Sequence, residues 1–252
     1  MKIDALICDF MGCRTLDKLA HFMSNVTQQL DFSYFALIHH AHPRDWPQPL
    51  IMLNNYPASW VTVYDRKRLF LNDPVLKACK NSTVGFAWDD LDAFLDVTLE
   101  HRAILDLSAR EGLGAGYTVP ANIPGELPGS CSFVTKAGIP LPRDNLLVAQ
   151  FVGAAAFQTA RRIVGLTKAD TSKHPGLTPR QKDCLLWAMR GKTDGEIATI
   201  LSLSEETVSQ HLNMARARYD VTKRLPLALK AIYMGHIDLE DVFDKVFLLK
   251  GE

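Results

Sequence analysis

Paired cysteines, long apolar runs and a surplus of charge are all missing from this sequence. The five cysteines (Cys8, Cys13, Cys79, Cys131 and Cys184) are scattered through 252 residues, with no CxxC pair and no Cys/His spacing. That pattern speaks against a zinc site or a disulfide framework and fits a reducing compartment. No apolar stretch approaches bilayer-spanning length, and the first residues do not run from basic to apolar, so a cytoplasmic location without a membrane partner is expected. Internal repeats, low-complexity tracts, GxSxG elbows and HExxH motifs are also lacking, which argues against an enzyme: no catalytic residue, metal or cofactor is expected. Net charge is zero, from 28 basic and 28 acidic side chains, and by itself argues against a nucleic-acid binder. The zero conceals an uneven spread. Residues 171–237 carry 10 basic and 6 acidic side chains, whereas 238–252 carry 2 and 5. A phosphate-binding surface is therefore to be sought in 171–237.

What is present suits two domains. Hydrophobic residues make up 47% of the chain and charged residues 22%, enough for real cores beneath an ordinary surface. The stretch "YPASWVTVYDRKRLFLNDP" (56–74) places Tyr56, Trp60 and Tyr64 four residues apart, on one face of a predicted helix over 57–67. An ordinary core face would explain that spacing. Yet each of these rings carries a polar tip, and Asp73 closes the segment; such groups need partners when buried.

Coarse patterning gives a helix over 15–30, with Leu16, Leu19, Phe22, Met23 and Val26 on one side, and strands over 32–41 and 48–55. Asp73 before Pro74 reads as an N-cap followed by proline at the first helical position, predicting a short helix over 73–80. A helix near 91–111, strands near 115–120 and 129–135 and a long helix over 144–165 complete a three-layer α/β/α arrangement. "LTKADTSKHPG" (166–176) has linker texture. Beyond it come three helix starts. Thr178-Pro179-Arg180-Gln181 and Thr193-Asp194-Gly195-Glu196 are capping boxes, and Ser204 with Glu205 and Glu206 opens a third helix. About three residues part the second from the third, as a helix-turn-helix requires.

Residues 177–237 resemble the DNA-binding domain of LuxR-type regulators, matching "LTPR", "GKT", "EIA", "ILSLS", "TV", "H" and "KAIYMGHI" in order. The N-terminal segment is similar to the acyl-homoserine-lactone domain of the quorum-sensing branch, with Tyr56, Trp60, Tyr64, Asp73, Pro74, Trp88, Gly116 and Pro120 in matching places. The resemblance implies an N-terminal α/β/α sandwich (1–165) around a mainly antiparallel sheet, a linker (166–176) and an all-α helix-turn-helix domain (177–237). An extra C-terminal helix is expected over 238–252. It also implies ligand roles. Trp60 would donate to the ring carbonyl, Asp73 would accept the amide N–H, and Tyr56 with Ser132 would donate to the amide carbonyl. Tyr64 and Trp88 would wall the pocket. On this view the polar groups stand unpaired without ligand, coupling binding strongly to folding. Thr207, Ser209, Gln210, Asn213, Arg216, Lys223 and Arg224 are the candidate DNA contacts, with His211 either a contact or a structural residue.

Departures from the family pattern are specific. Ser209 stands where lysine is frequent, and Pro226 falls close inside the last helix. In the tail, Leu239, Val242, Phe243, Val246 and Phe247 share one face. Other features carry less. "LICDFMG" (6–12) faintly resembles a phosphotransferase strand end, but Met11 occupies the place of its second acid. "GLGAG" (112–116) lacks dinucleotide-binding spacing, so Gly112 reads as a helix cap and Gly116 as a strand residue in close approach. His39 and His40 would face opposite sides of a strand. The expected protein is a homodimeric transcription regulator that binds an acyl-homoserine lactone and an inverted-repeat DNA site. The rival is an interaction protein that sequesters related regulators in mixed dimers.

Overall fold

A computed structural model gives the fold and describes residues 3–41, 50–123, 126–166 and 176–243. The chain divides into two compact units, one holding 1–123 and 127–168, the other holding 169–252 with 124–126.

The first unit is built on a five-stranded antiparallel sheet in the order β2-β1-β5-β4-β3. Its strands are β1 (Tyr34–His39), β2 (Met52–Asn54), β3 (Phe86–Ala87), β4 (Leu113–Ala121) and β5 (Gly129–Lys136). Strand periodicity sorts side chains onto two faces. Phe35, Leu37, Tyr117, Val119, Cys131 and Phe133 join the core beneath three helices, α1 (Ile3–Gly12), α2 (Leu16–Gln29) and α6 (Leu146–Ile163). The alternate residues Ala36, Gly116, Thr118, Ser132 and Val134 face the other way. Register sets Ser132 opposite both Ala36 and Thr118. Over that face lie α3 (Ala58–Arg66), α4 (Pro74–Ala78) and α5 (Leu99–Arg110), which with the sheet enclose Trp60, Ile104, Leu113 and Val134. Because both faces are covered, β5 is buried along all but its last residue.

Local chemistry explains most boundaries. Thr15 accepts from the Lys18 N–H to open α2, whose Leu19, Met23 and Val26 are buried at helical spacing. Asp73 caps α4 with Pro74 behind it. Gly112, at φ +97°, turns the end of α5 into β4, a conformation that side chains resist. The helix expected near 91–111 is broken. A 3-10 segment, Trp88–Ala93, comes first, and Thr98 then caps α5 through the His101 N–H. The box is completed by histidine where glutamate or glutamine is usual, which hides the boundary. Residues 6–12 lie in α1 and not at a strand end. Leu6 and Phe10 pack inward, and Phe10 meets Phe22 edge-on at 4.9 Å.

In the second unit α7 (Pro179–Met189) and α8 (Asp194–Leu201) both open on full capping boxes, at Thr178/Gln181 and Thr193/Glu196. α9 (Glu205–Arg218) follows after three residues, the turn being made by Ser202 at φ 54°. Cys184, Leu185, Ile197, Val208, Leu212 and Tyr219 form its core with Leu227 of α10 (Arg224–Tyr233). Because α10 begins at Arg224, Pro226 sits in its first turn, where its missing N–H had no intrahelical acceptor to lose. The described part of the tail is a single turn, α11 (Leu239–Val242). Val242 is buried, while Leu239 and Phe243 are exposed, so these three residues do not share one packed face. Arg190 donates to the Asp241 and Val242 carbonyls. Val246 and Phe247 lie outside the described residues, as does the stretch 167–175 of the expected linker.

Candidate functional site

The sheet face bearing Ser132 and the helices α3 to α5 enclose a cavity of about 130 Å³. Its walls include Tyr56, Trp60, Tyr64, Asp73, Trp88 and Ser132, so the structure brings together all six residues singled out from the sequence. The remaining lining is mostly apolar, with Ala36, Ile38, Met52, Val61, Leu76 and Ile104 among it. A second hollow of about 510 Å³ shares Ile38, Met52, Val61, Tyr64 and Leu76 with the first.

Helical spacing sets the aromatic wall. Tyr56 lies just before α3, and the Trp60 and Tyr64 rings stand 5.3 Å apart and tilted. Tyr56 meets Tyr34 edge-on. Gly116 makes room for Trp88: a Cβ at that position would lie 2.2 Å from the indole. Asp73 is both cap and site residue. Its Oδ1 accepts from the Val75 N–H at 2.8 Å, and its Oδ2 accepts from the Tyr64 hydroxyl at 2.7 Å. Each carboxylate oxygen can accept again. Burial pushes the Asp73 pKa up, and the bonds from Tyr64, Val75 and Leu76 oppose that shift. The Tyr56 and Tyr64 hydroxyls are driven upward by burial and then by the Asp73 charge, so both stay protonated donors.

A second polar chain crosses the floor. The Trp88 indole N–H donates to Thr118 Oγ1 at 2.9 Å, Thr118 and Ser132 share a hydrogen bond at 2.8 Å, and Ser132 lies close enough to Tyr56 to draw its phenol pKa down against the effect of burial. Indole is donor-only. When Thr118 donates to Ser132, the Ser132 hydroxyl proton is left to donate into the cavity, which Tyr56 also lines. These pairs correct, for Asp73, Tyr64, Trp88 and Ser132, the expectation that the polar groups stand unpaired without ligand. Asp73 holds Tyr64 and Trp88 holds Thr118, so ligand adds bonds to a framework in which part of the polar set already has partners, while the Trp60 indole N–H is left for the ligand. Thr118 itself escaped the sequence reading. Only strand register, which sets it opposite Ser132, reveals it.

His39 and His40 divide as their alternation implies. The Ile51 N–H donates to His39 Nδ1 at 3.1 Å, and His40 Nε2 shares a bond with Ser130 at 2.9 Å. Burial foremost, then His39 and Lys80, lowers the His40 pKa to about 4, so the ring is neutral at physiological pH. Among the described residues no cluster of three or more His, Cys, Asp or Glu side chains is placed to hold a metal ion.

The other candidate set lies on the second unit. Gln210, Asn213 and Lys223 are exposed. Arg216 bonds Asn213, and Thr207 shares a hydrogen bond with the cap Ser204 at 2.8 Å. Ser209 and Arg224 are engaged elsewhere, both on the Asp194 carboxylate. His211 is half-buried, and its Nδ1 has no hydrogen-bond partner in this structure.

Comparison with known proteins follows this division. The autoinducer-binding domain family matches residues 15–163, and the luxR family of bacterial regulatory proteins matches residues 175–231. The chain belongs to the LuxR family. This LuxR-family protein is 30% identical over 225 residues to the transcriptional activator AhyR of Aeromonas hydrophila, covering 87% of the chain and 85% of the relative. It superposes on the crystal structure of Escherichia coli SdiA with a TM-score of 0.69, at 27% identity, covering 93% of this chain and 97% of that one. A second SdiA structure, solved in complex with octanoyl-rac-glycerol, gives a TM-score of 0.68 at 27% identity, covering 92% and 93%. The LuxR-family chain is thus a quorum-sensing transcription regulator and not an enzyme, with an autoinducer-binding and a DNA-binding region. No helix among its described residues is long and apolar enough to cross a membrane.

Proposed function

We propose that the autoinducer is an acyl-homoserine lactone and that a cytoplasmic homodimer of the protein reads an inverted-repeat DNA site. One observation carries the ligand reading: an acceptor-only carboxylate, Asp73, and a donor-only indole, Trp60, line the same apolar cavity. A molecule that satisfies both offers an N–H to Asp73 and a carbonyl to Trp60. Tyr56, a protonated phenol, serves a second carbonyl together with Ser132, whose proton the Trp88–Thr118 chain leaves free. Ring carbonyl, amide N–H and amide carbonyl are the polar inventory of an acyl-homoserine lactone. Its tail would run along Ile38, Met52, Val61 and Leu76, toward the second hollow that shares them. Dimerisation fits apolar residues left in water, namely Leu147 at 86% exposure on α6 and Leu225, Leu229 and Tyr233 one turn apart along α10. Two paired helix-turn-helix units then address two half-sites.

The test is mass spectrometry of whatever co-purifies with the protein from a lactone-producing culture. An acyl-homoserine lactone in stoichiometric amount is expected, and a monoacylglycerol in its place would refute the amide assignment.

The engagement of Ser209 and Arg224 by Asp194 favours a second reading, in which the protein sequesters related regulators in mixed dimers. Salt-dependent binding of the purified dimer to an inverted-repeat duplex separates the two. Failure to bind at any salt concentration favours sequestration.

A further inference from the structure

We propose that Asp194 is a positioning residue that withholds Ser209 and Arg224 from the DNA backbone and thereby keeps binding to non-target DNA weak. The proposal rests on α9 being the DNA-facing helix.

Asp194 is the first residue of α8, and its carboxylate is shared between two other elements. Oδ2 accepts from the Ser209 hydroxyl on α9 at 2.8 Å, and Oδ1 pairs with the Arg224 guanidinium at the start of α10. The Asp194 side chain is 14% exposed, against 43% for Arg224, so the carboxylate is the anchored partner and the guanidinium the reachable one.

Donor arithmetic gives the consequence. A serine hydroxyl has one proton. Given to Asp194, that proton is not available to a phosphate oxygen, which only accepts, so Ser209 becomes an acceptor on this face. Arg224 is offset in the same way, its charge met inside the protein before any phosphate arrives. Lys192, two residues before Asp194, is likewise paired with Glu196 at 3.1 Å. Two cations around the start of α8 are therefore neutralised within the domain.

Position strengthens the effect. The first helix of a helix-turn-helix crosses the DNA backbone, and a helix N-terminus attracts phosphate through its free N–H groups. A carboxylate on the first residue of that helix sets a negative charge against the same phosphates. Sequence-independent affinity scales with the number of phosphates neutralised, so withholding one arginine lowers it directly. Arg216 and the base-facing residues of α9 are not involved, which leaves target recognition intact.

The test compares full-length wild type, Asp194→Asn, Arg224→Gln and the double variant on a random-sequence duplex, by fluorescence anisotropy across a salt series. Asparagine keeps an oxygen for Ser209 while removing the charge that holds Arg224. Asp194→Asn should bind about five- to ten-fold more tightly near 0.1 M salt, with a log–log salt slope steeper by about 0.9. Arg224→Gln alone should bind more weakly than wild type, because it leaves the Asp194 charge uncompensated beside the phosphates, and the double variant should return to the wild-type slope. An unchanged or shallower slope for Asp194→Asn overturns the proposal, as does a double variant that keeps the gain. A lowered melting temperature with an unchanged slope makes Asp194 a structural strut and also overturns it. If wild type binds no duplex at low salt, the DNA-binding reading is in question. Binding by Asp194→Asn would then still uphold the proposal, and its failure to bind would end it.

Discussion

Replacing Asp73 with asparagine exchanges one carboxylate oxygen for an amino group and removes a buried charge, with almost no change in shape. Two bonds must be re-made in the folded protein. The Val75 N–H, 2.8 Å from Oδ1, can keep an oxygen, since asparagine caps helices about as well as aspartate. The Tyr64 hydroxyl, which donates to Oδ2 at 2.7 Å, must rotate its proton and accept from the new amino group. A phenol can do both, so the fold should survive with a melting curve close to wild type. Ligand binding should not survive unchanged. The amide N–H that met an anionic oxygen now meets either an amino group or a neutral oxygen already in use. Losing a charge-assisted bond and gaining a donor clash costs roughly 2–4 kcal/mol, or about thirty-fold to nearly a thousand-fold in affinity.

The pH dependence follows the same logic. Burial raises the folded-state pKa of Asp73 above its ordinary 3.8, so unliganded stability falls as pH rises through the window just above that value. The lactone favours the ionised form, so its affinity should rise with pH through the same window and then level off. Asp73→Asn should be flat there. The assay is a lactone dose-response with thermal melts of wild type and variant across pH. Normal response in a folded Asp73→Asn variant would refute the reasoning and leave Asp73 merely a cap.

Three further substitutions probe separate links. Tyr64→Phe removes the hydroxyl bond to the buried Asp73 carboxylate and should cost about 1.5–3 kcal/mol of stability, read by urea melts; an unchanged midpoint would show the bond to be worthless. Gly116→Ala puts a Cβ 2.2 Å from the Trp88 indole, so overpacking of about 1–3 kcal/mol and altered Trp fluorescence are expected with loss of lactone response, and a variant like wild type in all three would contradict the packing. Arg216→Ala should leave lactone binding intact and reduce the DNA salt slope by about one, whereas an unchanged slope would place Arg216 away from the phosphates.

How legible each part was depended on how local its cause is. Capping boxes at Thr178 and Thr193 act within four residues, so the helix starts of the DNA-binding unit could be read directly. The same holds for Asp73-Pro74 and for the four-residue spacing of Trp60 and Tyr64. What could not be read depends on chain reversal or strand register. Tyr64 reaches Asp73 only because the chain turns at Arg68, a non-glycine residue at φ 52° with no sequence signature. Thr118 joins the site through its register with Ser132, across the connection 122–128 between β4 and β5. α1 is hard to read because its apolar residues, Leu6 and Phe10 among them, also fit a strand-end pattern. Asp194 lies inside a capping box, and nothing local shows that its carboxylate also holds Ser209 and Arg224.

The central claim is that Asp73 accepts an amide N–H from an acyl-homoserine lactone. Its most direct test is calorimetric titration with the lactone and with the isosteric ester, in which an oxygen replaces that N–H. Wild type should bind the lactone saturably and the ester at least about thirty-fold more weakly, because an ester oxygen facing a carboxylate has no proton to offer. In Asp73→Asn, whose amino group can donate to that oxygen, the preference should shrink or reverse. Equal binding of lactone and ester by wild type, or no binding of the lactone, would contradict the account.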